Sequence, residues 1–445
     1  MEKTNSLTAK KIAAFTAYSA FERVLIVLSG MISLVIIGKL GKFELAGGSI
    51  ANTIINILQV PFLSLGTAAM VMISSDERKK RKISYDVTFV SIILSVILFF
   101  VVAFFSRPIV NLLFGGTEEK IKDITVCYMS VFKWAIPFMA IDLVLSGCMR
   151  GWKNAKTPLT FTVVGNIINI ALCIIFVNYM NKGYIGGAYA QLISSAIICI
   201  IKIICVGKAL SLENAKEKVS LLGMGSVVSK SMPFSVNLFF VRVGFLGMQV
   251  VTALLGTEML TGYQVANNIL SVLYAVTGGG EIATMTYVSA CWAGNKREYA
   301  KKVSYAIAWV SVIILSAMGV LIALKTSFFA EIFNSDISSS ESALRVIRIM
   351  CITIPFTSFF QCIQGVMNVG NHAKTVTLST ILCSWCMRLP LSYVLVKFCD
   401  MGFTGLFIGF MADYLTRTVL YGAISRKLLN RRSLYYDRNT CKIYY

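Results

Sequence analysis

The chain has 445 residues, of which 56% are hydrophobic and 14% are charged, and its mean hydropathy is +0.74. Soluble globular domains carry about 25% charged residues, so an ordinary soluble domain is excluded. The net charge of +21 comes from 42 Lys and Arg against 21 Asp and Glu. These basic residues are scattered over many polar gaps and form no basic domain. We therefore expect no nucleic-acid binding and interpret the charge as membrane topology and contact with anionic membrane lipid.

Long apolar stretches follow one another along the chain, and a helix needs roughly 20 apolar residues to cross a hydrocarbon core about 30 Å thick. In chain order this criterion predicts spans at 12–37, 45–73, 86–114, 125–147, 158–180, 185–208, 231–255, 260–292, 303–324, 343–367, 374–398 and 402–424. The first stretch is too long for the apolar region of a cleavable signal peptide. The sequence therefore predicts an all-α integral membrane protein with twelve transmembrane helices.

Basic residues are more frequent in every second polar gap. The richer side carries the run from Arg78 to Lys82, the basic residues after the last span, and single residues that include Lys202 and Lys296. Lys and Arg resist translocation and remain in the cytoplasm. The bias predicts a multi-pass protein of the cell membrane with both termini in the cytoplasm.

Two phrases are nearly repeated along the chain. LGKFELAGGSIAN at 40–52 matches LGTEMLTGYQVAN at 255–267, and the match at this offset of 215 extends to Ser74 and Ser289. CMRGWKNAKTPL at 148–159 similarly matches VMNVGNHAKTVTL at 366–378. Each repeat holds six spans, so both halves have the same orientation. Such repeats build two lobes related by a pseudo-twofold axis along the membrane normal, with a site near the midplane.

The duplication predicts the organisation of the chain. We expect an N-terminal six-helix lobe at 1–208, a cytoplasmic linker at 209–230, a C-terminal six-helix lobe at 231–425 and a basic cytoplasmic tail at 426–445.

Five motifs occur in register with this topology: LGKFELAGGSIAN after the first span, MRGWKNAKTP after the fourth, NIINIALCIIF in the fifth, GYQVANNI in the eighth and MRLPLSYVL in the eleventh. Together they resemble the multidrug and toxic compound extrusion family over nearly the whole chain. The resemblance implies a secondary active transporter with two six-helix lobes. It also implies antiport by alternating access, in which proton or sodium entry drives the export of organic cations, drugs or metabolites.

Charged residues inside spans are candidates for function, because a charge at the bilayer centre costs at least about 2.5–3.5 kcal/mol. Glu22, Asp142 and Glu281 are the candidate cation-coupling acids. A structural interpretation remains open for two of them: Glu22 could neutralise Arg23 or Arg242, and Glu281 could be satisfied within the glycine-rich packing contact of GGGEIA.

Uncharged polar residues form a stripe on the second and on the eighth span. The candidate substrate-cavity residues are Asn52, Asn56, Gln59, Gln264, Asn267 and Asn268, with Arg242 in the seventh span. The alternative is that the stripes hydrogen-bond between helices, which is worth about 0.6 kcal/mol per bond on average.

Three charged residues near the C-terminus are assigned structural roles. Asp413 and Arg417 are four residues apart on one helix, which is the spacing of an ion pair. Arg388 precedes a proline in RLP, where it can bind freed carbonyls or lipid headgroups.

The chain also departs from the family that it resembles. The resemblance implies acids in the first, fifth and seventh spans, and these positions hold Ser33, Cys173 and Val241. Since a hydroxyl and a thiol do not supply the charge that a hard cation needs, the usual coupling site is in doubt.

The same residues also bear on other functions. A flippase for a lipid-linked oligosaccharide or a related anionic lipid is the main alternative, although it would need several cavity arginines. An enzyme is not expected, because His372 lies in a predicted turn and no catalytic motif appears. Cys383 and Cys386 lack histidine or carboxylate neighbours, so no metal or cofactor is expected. The predicted partners are a small organic substrate, the coupling ion and membrane lipid, and we expect a monomer.

Overall fold

The computed structural model describes residues 2–38, 40, 42–113, 118–180, 182–211, 220–253, 255, 257–293, 296–331, 341–369, 372–430, 435–437 and 442–444. Its helices in the first half are α1 Glu2–Gly38, α2 Lys42–Leu58, α3 Val60–Ser75, α4 Lys80–Leu113, α5 Glu119–Phe132, α6 Ile136–Gly151, α7 Lys156–Ile174 and α8 Ile185–Ser211. Those in the second half are α9 Leu221–Ala253, α10 Thr257–Ala293, α11 Arg297–Leu324, α12 Thr326–Glu331, α13 Glu341–Cys351, α14 Ile354–Val369, α15 Ala373–Thr380, α16 Leu389–Lys397 and α17 Gly402–Asn430.

Shorter elements complete these helices. Two 3₁₀ turns lie at Glu77–Lys79 and Lys133–Ala135, and π-helical segments at Ile175–Tyr179 and Ile381–Arg388 continue α7 and join α15 to α16. In the tail, β1 Tyr435–Asp437 pairs antiparallel with β2 Lys442–Tyr444, with Tyr435 opposite Tyr444. This hairpin was not predicted from the sequence.

Each of the twelve predicted spans coincides with one helix or with a run of consecutive helices. Within the described ranges, nine helices are long and apolar enough to cross a membrane, or ten if the pair α13 and α14, bent by 45°, is counted as one span. Many large apolar side chains on them face outward, among them Phe104, Ile313 and Leu378. Such exposure is expected where the surroundings are lipid rather than water.

Proline explains where three of the spans break. Pro61, Pro137 and Pro355 each occupy the first turn of a helix, α3, α6 and α14 respectively. Proline lacks the backbone N–H and clashes with the preceding turn, so a helix ends before it and a new one begins. The sequence IPF occurs at both of the last two breaks, at 136–138 and 354–356.

The chain divides into two compact units, one formed by 25–235 and the other by 1–24 with 236–445. The long helices α1 and α9 therefore change units part-way along their length. These units differ from the predicted lobes at the ends of these two helices, because residues 221–235 group with the first half. In the unit 25–235 the core is built around Phe62, Met129 and Phe132.

Close helix crossings occur at equivalent places in the two units. A Cβ at Gly147 on α6 would lie 2.3 Å from the carbonyl oxygen of Gly66 on α3, and one at Gly365 on α14 would lie 2.9 Å from that of Glu281 on α10. The offset of 215 pairs Gly66 with Glu281, and the second repeat match pairs Gly147 with Gly365. The packing of each unit therefore reproduces the sequence repeat.

The turn before the sixth predicted span of each sequence repeat is also repeated. Gly183 and Gly402 adopt positive φ angles of 59° and 56°, a conformation that favours glycine because other residues carry a Cβ. They lie 219 residues apart, slightly more than the offset nearer the N-terminus.

Replacing Gly147 by alanine is expected to lower the free energy of unfolding by about 1–3 kcal/mol, the usual cost of overpacking. The added methyl group would overlap the backbone of Gly66, which cannot rotate away. The matched control is Gly207→Ala in α8, where a Cβ meets nothing within 4 Å. Thermal unfolding of the detergent-purified variants measures both, and equal midpoints would contradict the crossing.

Candidate functional site

Four groups of polar side chains in the described membrane helices contain residues that the sequence singled out, two groups in each unit. In the unit 25–235 these are the amide cluster, formed by Ser33, Asn169, Gln191 and Ser194, and the Asp142–Lys202 pair. In the other unit these are the carboxylate cluster, formed by Glu281, Gln364 and Asn368, and the arginine cluster, formed by Arg388, Asp413 and Arg417.

The amide cluster joins α1, α7 and α8 without any charge. Ser33 Oγ donates to Asn169 Oδ1 at 3.2 Å, and Asn169 Nδ2 lies 3.2 Å from both Gln191 Oε1 and Ser194 Oγ. Cys173, one turn further along α7, is buried among Ile36, Val177 and Ala190. Two of the three positions where the resemblance implies acids, Ser33 and Cys173, therefore lie in or beside a neutral hydrogen-bonded network.

Asp142 on α6 forms an ion pair with Lys202 on α8. Lys202 is 1% exposed, donates to Ser146 Oγ at 2.7 Å, and its Nζ stands 5.6 Å from the centroid of the Phe161 ring. The assignment of Lys202 to the polar gaps was therefore wrong. A charge count along the chain cannot recognise a buried lysine whose partner lies 60 residues away.

Lys202→Met is expected to destabilise the protein by about 3–5 kcal/mol, because it leaves the Asp142 carboxylate without its counter-charge. Adding Asp142→Leu should recover most of that loss, since the pair is then replaced by apolar groups. Chemical denaturation of the single and double variants tests this coupling. A double variant no more stable than Lys202→Met would show that the two charges do not depend on each other.

The carboxylate cluster lies at the crossing of α10 and α14. Gln364 Nε2 and Asn368 Nδ2 both donate to the same oxygen, Glu281 Oε1, at 2.8 and 3.2 Å. Gly365 lies between these two amides in sequence, and its lack of a side chain lets α14 approach the backbone of Glu281. Arg23 on α1 is the charged neighbour of the Glu281 carboxyl. Glu281 is thus held by neutral amides with a guanidinium nearby.

Glu22 immediately precedes Arg23 on the part of α1 that belongs to the same unit. It is 2% exposed and takes part in an interaction, so both its coupling role and its structural role stay predictions.

The arginine cluster joins the π-helical segment 381–388 to α17. Asp413 Oδ1 accepts from Arg417 Nε at 2.6 Å, and Asp413 Oδ2 lies 3.3 Å from Arg388 Nη1. Arg417 Nη2 also donates to Ser384 Oγ at 2.6 Å and to the Thr380 carbonyl at 3.4 Å. The predicted Asp413–Arg417 pair is confirmed. That Arg388 shares this carboxylate was missed.

The amide and arginine clusters occupy equivalent places. At the offset of 219 set by Gly183 and Gly402, Asn169 corresponds to Arg388 and Ser194 to Asp413. The contact between the fifth and sixth spans is thus neutral in one unit and charged in the other. The offset between Gly183 and Gly402 can be read from the sequence, and it would have paired Asn169 with Arg388 and Ser194 with Asp413.

The polar stripes are only partly described. Gln59 Nε2 lies 3.4 Å from Met139 Sδ, whereas Asn52 and Asn56 are half-buried. Asn267 and Arg242 are half-buried in the other unit. The side chains of Gln264 and Asn268 lie outside the described residues. A lining role for the stripes therefore stays a prediction.

Among the residues whose placement is described, no group of three His, Cys, Asp or Glu side chains is arranged to hold a metal ion. In the same part of the chain, both Cys383 and Cys386 have free thiols.

Comparison with known proteins gives one consistent result. The family model described as MatE matches residues 19–175 and 233–394. The probable multidrug resistance protein NorM of Thermotoga maritima is 23% identical over 410 residues, which cover 90% of this chain and 88% of that protein. The probable multidrug resistance protein YoeA of Bacillus subtilis is 23% identical over 81% of each chain. A crystal structure of MATE in the bent conformation matches with a TM-score of 0.84 and 17% identity over 95% of each chain.

Apolar helices that carry buried carboxylates and guanidiniums place the chain among the multi-pass membrane proteins that move ions or solutes. Because the family model matches both halves, the chain belongs to the MatE family of transporters, and it is a transporter and not an enzyme. The likeness to the solved structure confirms the predicted all-α fold of twelve helices in two six-helix lobes.

Proposed function

We propose that this protein is a secondary transporter that exports amphiphilic organic cations, drugs or metabolites in exchange for protons by alternating access. Membership of the MatE family and the names of the relatives, probable multidrug resistance proteins, support export of small organic molecules. The proposal includes a location in the cell membrane, cytoplasmic termini and a monomer that works through the lobes at 1–208 and 231–425.

Glu281 is the acid that best fits the coupling role. The observation that carries the proposal is the arrangement of hydrogen bonds around its carboxyl group. Asp142 already has a lysine counter-charge, and Glu22 is almost fully buried with a partner of its own. Glu281 has the Arg23 guanidinium as a charged neighbour, but both of its described hydrogen bonds come from neutral amides at Oε1. Oε2 can therefore gain or lose a proton without breaking either bond.

The orientation of the amides favours a proton over sodium. A sodium ion is a hard cation and needs several oxygen ligands. Gln364 and Asn368 present N–H donors to the carboxylate, and both would have to turn over to offer oxygen. A proton requires no such rearrangement.

Transport of an anionic substrate is the second candidate. It is favoured by the positive charge of the second half, where Arg388 and Arg417 share one carboxylate. Both arginines are at most 5% exposed, so they offer no open surface to the headgroup of a lipid-linked sugar. The half-buried Arg242 remains the candidate contact for such a substrate.

The function is tested by reconstitution into liposomes. We expect protons that flow down an imposed gradient to drive a fluorescent organic cation across the membrane in the opposite direction. An equal sodium gradient should drive no transport of the dye. Translocation of a lipid-linked oligosaccharide by the same vesicles, without movement of the dye, would replace the proposal by the flippase alternative.

A further inference from the structure

The charges of the arginine cluster do not balance. Arg388, Asp413 and Arg417 are 2%, 0% and 5% exposed, and two guanidiniums share the single carboxylate. Within the described residues no second acid forms an ion pair with either arginine. One positive charge is therefore left inside the protein, and an uncompensated buried charge is strongly unfavourable.

The guanidinium of Arg388 also has a hydrogen-bond donor without an acceptor among the described residues. Two aromatic rings pack against its guanidinium, since its Cζ lies 5.3 Å from the centroid of Phe245 and 5.0 Å from that of Phe410. Nη1 reaches Asp413, but Nε is buried with no hydrogen-bond partner.

Two tyrosine hydroxyls share this environment. The Tyr263 ring packs against Phe410 with centroids 6.3 Å apart, and Tyr263 and Tyr274 are both electrostatic neighbours of Arg388. In the described structure neither hydroxyl makes a hydrogen bond of ordinary geometry, but that of Tyr274 lies beside two other side chains, Thr353 and Tyr414, whereas that of Tyr263 has only Asn267 as a hydrogen-bonding neighbour. Buried donors are nearly always paired with an acceptor.

We propose that the arginine cluster binds one small monovalent anion beside Arg388 Nε, with the hydroxyl of Tyr263 as a further donor. An anion accepts hydrogen bonds from N–H and O–H groups and cancels the excess charge, whereas a water molecule would satisfy the donors and leave the charge. The near-complete burial of the cluster limits the ligand to an atom-sized halide or a single carboxylate group.

The amide cluster supplies an internal comparison. Asn169 and Ser194, the equivalents of Arg388 and Asp413, are neutral and bond to each other and to their neighbours. They leave neither a charge nor a donor for an anion. The proposal therefore assigns the site to the second half of the chain alone.

The test measures thermal unfolding of the full-length protein in detergent at constant ionic strength, while gluconate is replaced by chloride or by acetate. Gluconate is too large for the site, and the two other anions distinguish a halide from a carboxylate ligand. We expect the unfolding midpoint to rise by several degrees and to saturate with one of them, as ligand binding to the native state requires. An equal midpoint in all three salts would overturn the proposal.

Variants locate the effect. Tyr263→Phe removes one donor and keeps the charge, so half-maximal stabilisation should need a several-fold higher anion concentration. Arg388→Gln removes the excess charge and should abolish the anion dependence. Ser194→Ala in the amide cluster should retain the full response. A wild-type response in Tyr263→Phe together with Arg388→Gln, or its loss in Ser194→Ala, would contradict the assignment; if Arg388→Gln does not fold, Tyr263→Phe decides alone.

Discussion

Glu281→Gln is expected to reduce proton-driven export by about 5–150-fold, the range of a typical coupling free energy between two sites, while the protein remains folded. Glutamine keeps the oxygen that accepts from Gln364 and Asn368 at 2.8 and 3.2 Å. It cannot take up or release a proton. The coupling of proton entry to export should therefore be lost, while the packing of α10 against α14 is kept. Dye transport in liposomes with an imposed proton gradient measures the first effect, and thermal unfolding measures the second.

Two further variants make this result specific. Asp123→Asn removes an acid that is 59% exposed and paired with Arg107, and its transport should equal that of the wild type. Asp142→Asn removes a carboxylate that already has Lys202 as its counter-charge, so it should keep a proton-driven component. If Glu281→Gln transports normally and Asp142→Asn does not, the coupling role belongs to the other unit.

Asp413→Asn is expected to destabilise the protein by about 3–5 kcal/mol, the usual effect of removing one partner of a buried ion pair. Asp413 is completely buried and bonds to Arg417 at 2.6 Å and Arg388 at 3.3 Å. Without its charge, two guanidiniums would face each other in a medium of low dielectric constant. Chemical denaturation of the purified protein in detergent measures the loss.

The exposed pair of Arg107 and Asp123 is a matched control, because its N···O distance is also 2.6 Å. Exposed ion pairs contribute only about 0.2–1 kcal/mol, so Asp123→Asn should change stability little. The two ion pairs have the same N···O distance but differ in burial, so the difference between their losses of stability measures the effect of burial. Equal losses in the two variants would show that the burial of Asp413 is not what makes it important.

Much of the fold follows from local properties of the sequence. The twelve spans were predictable because a helix that satisfies its own backbone bonds is the usual way for an apolar stretch to cross lipid. The repeat was readable because both halves keep the same residues at nearly constant offsets, and Gly147 and Gly183 meet steric demands that Gly365 and Gly402 also meet. The Asp413–Arg417 pair was predictable because residues four apart on a helix are neighbours.

The sequence by itself therefore determined the membrane class, the duplication and the residues that could carry charge, because these depend on composition and on short spacings. Only the tertiary structure decided which charges meet. In the folded protein Lys202 pairs with Asp142, two amides donate hydrogen bonds to Glu281, and a second arginine pairs with Asp413. These partners lie on different helices, at sequence separations that no periodicity records. A carboxylate's chemistry depends on such neighbours, so the distinction between a structural acid and a coupling acid is made by helix packing.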